Sequence, residues 1–132
     1  PLQAKQIEPD RLYEKKKKKQ LNWGEVERIF LEITNYMSGL GIDYDKYRIG
    51  GVSHLYGLWC LSNFCLTNKI SIDSIRYKLN NFYVELRSSD LKNVDVENYK
   101  KSMSSRTKDQ GQRQRRVIAL CSYLGINYSK AN

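Results

Sequence analysis

The spacing of apolar residues constrains this chain more than any other feature, because it repeats at the period of an α-helix in separate stretches. From Val26 the apolar side chains fall at Val26, Ile29, Phe30, Ile33, Tyr36 and Met37. That is the i, i+3, i+4, i+7 stripe of a helix buried along one side. Ile72, Ile75, Leu79, Phe82, Tyr83 and Leu86 repeat the pattern. Leu55, Leu58, Trp59, Leu61, Phe64 and Cys65 instead surround nearly the whole circumference, which is what a central, buried helix requires. Asn22, Ser53 and Ser71 stand where N-caps belong, since a short polar side chain there accepts from an otherwise unpaired backbone N–H. Gly39 or Gly41 can close the first helix in a left-handed conformation, and Gly125 the last.

Two further segments read as helices on fewer residues. Asp95 to Met103 would turn Val96, Tyr99 and Met103 inward. A final helix begins between Thr107 and Gln112 and carries Val117, Leu120, Cys121 and Leu124 on one face. Ile42 to Val52, with Gly50-Gly51, reads as a loop that reverses the chain. A length of 132 residues suits one domain. The expected fold is therefore all-α, a compact bundle of about four to five helices over residues 21–132, preceded by a basic arm or linker at residues 1–20.

Charge is the second constraint, through its placement more than its size. The net charge is +9. Residues 11–19 hold six basic side chains against Glu14, and residues 100–116 hold seven against Asp109, so the rest of the chain is slightly negative. Positive charge confined to two segments points to a polyanionic partner more than to a solubility coat. Lys15, Lys16, Lys17, Lys18 and Lys19 are candidates for phosphate contact, because each lysine that neutralises a phosphate releases condensed counterions. A solvated linker is the plainer reading of the same run.

The stretch Arg106-Thr107-Lys108-Asp109-Gln110-Gly111-Gln112-Arg113-Gln114-Arg115-Arg116 is more informative. Arginine supplies a planar fork of donors that grips phosphate or guanine, and glutamine pairs with adenine. Arg106, Lys108, Arg113, Arg115 and Arg116 are the candidate contacts here, with Arg113 and Arg116 expected on one helical face. The plainer alternative is a solvated helix start whose arginines pair with Asp90, Asp95 or Glu97. Among the aromatics, Trp59 belongs to the core helix, whereas Tyr13, Trp23, Tyr44 and Tyr47 are better placed for exposure, with a staple or packing role against the first helix as the default reading.

Several function classes fit poorly. Ser53, His54 and Tyr56 beside Gly50-Gly51 resemble a catalytic cluster only superficially, since no acidic partner stands at a recognisable spacing and the chain has one histidine. His54 is expected to be structural, and the chain is not expected to be an enzyme. Asp43 and Asp45 lack the remaining ligands of a calcium loop. Cys60, Cys65 and Cys121 are odd in number, lie among apolar neighbours and have no C-x-x-C spacing, which suits buried free thiols in a reducing, cytoplasmic compartment. No cofactor, no metal and no membrane partner is expected. The chain opens at Pro1 without an initiator methionine or a signal pattern, so it reads as a fragment, with an N-terminal domain of the same polypeptide as a further partner.

The order of these pieces carries a resemblance. A basic lead-in, an amphipathic helix, an apolar helix, Ile72 to Leu86 with Phe82-Tyr83, then Tyr99 and Ser104-Ser105-Arg106-Thr107 before Arg113 to Leu120, together resemble the helical C-terminal region of GmrSD-type, ParB-like proteins of bacterial defence. The resemblance runs over most of the chain from about Arg11. It implies a helical partner to a nucleotide-using nuclease domain in a restriction or antiviral defence protein. That family's activity rests on an Asp-Gly-Gln-Gln-Arg type motif in the separate N-terminal domain. Asp109-Gln110-Gly111-Gln112-Arg113 has similar letters in another order and another place, so no catalytic role carries over. The expected function is nucleic-acid binding, with DNA favoured over RNA. A docking or scaffold domain without direct nucleic-acid contact is the alternative.

Overall fold

Asn22 begins the first helix as the spacing predicts: in the computed structural model, which describes residues 22–88, 93–104 and 109–128, its side chain accepts from the Glu25 N–H. The described residues form six helices and no strand: α1 (Trp23–Gly39), α2 (Tyr44–Tyr47), α3 (Val52–Thr67), α4 (Ile72–Leu86), α5 (Val94–Ser102) and α6 (Gln110–Leu124). The all-helical expectation is met, and the extra element is the single turn of α2. It lies inside the segment expected to be loop, where Asp43 accepts from the Lys46 N–H and nucleates the turn. Asp43 is thus a cap. Tyr47 packs, as expected by default, but with its hydroxyl 3.0 Å from Asn80 Oδ1 of α4, and it is buried and not exposed to solvent.

The cap of α3 also differs from expectation. Gly51, in extended conformation, precedes the helix and Ser53 sits inside its first turn, so no side chain caps this end. The chain leaves α1 through Gly41, whose φ of +64° is a conformation only glycine adopts without strain. Ser71 and Asn93 cap α4 and α5, Asp109 caps α6, and Gly125 ends α6 at a φ of +75°.

α3 and α6 form the middle of the bundle. α1 packs on α3, and α6 touches α3, α4 and α5, with α4 and α5 also in contact. Leu58, Leu61 and Phe64 from α3 meet Leu79, Phe82 and Tyr83 from α4, Tyr99 from α5 and Leu120 from α6 in one continuous core. Phe82 is its aromatic hub, with edge-on contacts to Tyr83, Tyr99 and Tyr123 at 5.1 to 5.4 Å. Cys60, Cys65 and Cys121 are free and buried, and burial pushes the Cys65 thiol up to about 11, which keeps it protonated and unreactive. No helix among the described residues is long and apolar enough to cross a membrane.

Candidate nucleic-acid interface

α5 and α6 build the candidate surface because the two helices pack against each other. The last turn of α5 leaves carbonyls without intrahelical partners, and one of them, Ser102 O, accepts from Arg116 Nη1 at 3.1 Å. Arg116 Nη1 also lies 3.3 Å from Met103 Sδ. A cation at the negative end of α5 is favourably placed against the helix dipole. This tether fixes the start of α6 beside the end of α5.

Arg116 therefore does not share a surface with Arg113, contrary to the face expected from their spacing. It is fully buried, and burial lowers its pKa while the Tyr99 hydroxyl opposes that shift. The physical reason is the buried end of α5, which needs a donor more than the surface needs a third arginine. Arg113 is half-buried, with its guanidinium 5.2 Å from the centre of the Tyr56 ring on α3, a cation–π distance. Arg115 is exposed on the opposite side, beside α5.

Lys100 and Lys101, exposed on the last turn of α5, join the same end of the helix pair. They were counted in the basic segment but not foreseen as contacts, because only the tether shows that they neighbour the start of α6. Lys101 Nζ lies 3.5 Å from Glu97 Oε1, an exposed pair that contributes little to stability. Lys15, Lys16, Lys17, Lys18, Lys19, Arg106 and Lys108 lie outside the described residues. The described residues hold twelve lysines and arginines against ten carboxylates. Most of the net +9 is thus carried by the sequence around them.

His54 is held in place by the core. Its Nδ1 lies 2.8 Å from the Tyr99 hydroxyl and the two rings stack at 5.7 Å. Burial, with Arg87 and Arg116 nearby, pushes its pKa down to about 4. The imidazole is neutral at pH 7 and committed to Tyr99. Trp59 is half-buried, with its ring 5.3 Å from that of Phe30, while Trp23 is 58% exposed.

No protein-family model, no curated protein and no solved structure matches this chain. The functional reading therefore rests on the residues themselves.

Proposed function

We propose that the chain is a helical nucleic-acid-binding module that grips the phosphate backbone with the end of the α5–α6 pair. The observation that carries this reading is the Arg116–Ser102 tether, which brings the end of α5, with Lys100 and Lys101, to the first turns of α6, with Arg113 and Arg115 on its two sides. Arg106 and Lys108 stand between the two helices in sequence, and Lys15 to Lys19 supply the second basic segment. Phosphate contacts of this kind set affinity and orientation without reading sequence. The resemblance to GmrSD-type, ParB-like defence proteins favours DNA over RNA and makes the chain the C-terminal part of a larger cytoplasmic protein whose N-terminal domain does the chemistry. In keeping with a non-catalytic role, His54 is tied to Tyr99 and neutral.

The test is fluorescence anisotropy with labelled duplex and single-stranded DNA across a salt series. Binding should weaken steeply as salt rises, and changing Arg113 to Ala should reduce the slope of log K against log salt by about one. Absent or salt-insensitive binding overturns the reading. In that case a docking domain for the N-terminal part of the polypeptide gains, a role favoured by the apolar side chains of Leu31 and Val52, exposed by 60% and 73%.

A further inference from the structure

On their solvent side α5 and α6 leave an open groove of about 450 Å³, whose polar lining includes Asp95 and Asn98 from α5 and Gln114 and Arg115 from α6. Asp95 and Asn98 stand three residues apart on one face of α5. Gln114, Arg115 and Ile118 share one face of α6. A carboxylate and a guanidinium line the same groove here without pairing. Among the described residues, neither Asp95, Asn98 nor Arg115 makes a side-chain hydrogen bond or ion pair. The Gln114 Nε2 is shut away from solvent, and it too has no partner among the described residues. A buried amide donor left unmade is costly, and native proteins keep few of them.

This donor and acceptor set is selective. Guanine presents N1–H and N2–H₂ side by side, which match the two oxygens of a carboxylate, and presents O6 and N7 side by side as acceptors for one guanidinium fork. Adenine offers one amino group beside a ring acceptor that would face the carboxylate lone pairs. Uracil and thymine place one N–H between two carbonyls. A bare phosphate meets repulsion from Asp95. Ile118, 51% exposed, gives an apolar surface against which a base plane can lie. The matched edge of guanine is free only when the base is unpaired, so the groove suits a single strand or a base turned out of a duplex.

We propose that the α5–α6 groove takes an unpaired guanine of the bound nucleic acid, an inference that rests on the nucleic-acid reading above and adds base recognition to it. Asp95 accepts from N1 and N2, the exposed Arg115 fork donates to O6 and N7, and Asn98 completes the rim.

The test uses the full chain with labelled 12-nucleotide single strands that are identical except for one central position, carrying guanine, adenine or inosine, the last lacking the N2 amino group. Guanine should bind about tenfold more tightly than adenine, within the range for one bidentate base contact, and inosine should lose most of that advantage. Asp95→Asn, nearly isosteric, and Asn98→Ala, at an exposed position, should each bring the ratio of guanine-strand to adenine-strand affinity toward one, whatever either does to the affinity for both strands together. Circular dichroism checks that both variants keep their helices. Equal wild-type binding of all three strands overturns the groove assignment and leaves the nucleic-acid reading standing. A guanine preference that survives both substitutions overturns it as well, since the base is then read elsewhere. Failure to bind any strand at low salt removes both.

Discussion

Two arginines three residues apart in one helix meet opposite surroundings, and the difference is made by the carbonyl of Ser102, 14 residues before Arg116 in the chain. Arg116 turns inward to Ser102 O, whereas Arg113 lies over Tyr56 and stays half-exposed. His54 shows the same dependence on neighbours in a form that can be titrated. Its folded pKa of about 4 lies below the usual 6.5, so the unfolded chain takes up the proton first as pH falls. Stability from this residue is complete above about pH 6.5 and is lost progressively toward pH 4, by about 3 kcal/mol at most and less in so far as solvent reaches the ring. Because the chain has one histidine, its ring-proton resonances are unambiguous, and their titration midpoint should fall below 5 in the native protein. A midpoint near 6.5 would contradict the contact with Tyr99. His54→Gln should flatten the pH dependence of urea unfolding over the same window.

At the scale of elements, the sequence was legible wherever the signal is periodic or local. The stripes from Val26, Ile72 and Val117 became α1, α4 and α6, and Asn22, Ser71 and Gly125 stand at the ends read for them. Ser53 was misread because a cap is recognised by residue type, and glycine at an N-cap leaves no such signal. The same holds for α2, four residues long, which is shorter than any hydrophobic period can reveal. The placement of Arg116 and the α5–α6 groove were illegible for a different reason: both depend on which helices pack together, and no spacing within one segment encodes that. The uncapped start of α3 yields a prediction. Gly51 has a φ of −72° and a ψ of 156°, and a Cβ there would meet nothing within 4 Å. Gly51→Ser should therefore stabilise the fold by about 0.5–1 kcal/mol, by adding a cap and by restricting the unfolded chain. A urea midpoint that stays the same or falls would mean that the end of α3 is already satisfied by other groups.

At the scale of the molecule, packing and charge are divided between different parts of the chain. The helices hold a nearly balanced set of charges, while the two strongly basic segments lie at the lead-in and from the end of α5 to the start of α6. A polyanion can feel both segments at once only if they reach the same strand, and the salt dependence of binding counts how many phosphates are neutralised. Changing Lys15, Lys16, Lys17, Lys18 and Lys19 together to Gln should then lower the slope of log K against log salt on duplex DNA by about four, at about 0.9 per phosphate. Arg113→Ala should remove about one more, added to the first loss because the two sets of contacts are separate. A slope that changes by less than one on loss of all five lysines would show that the lead-in does not touch the strand. The α5–α6 end would then act alone, and the lysine run would be a solvated linker.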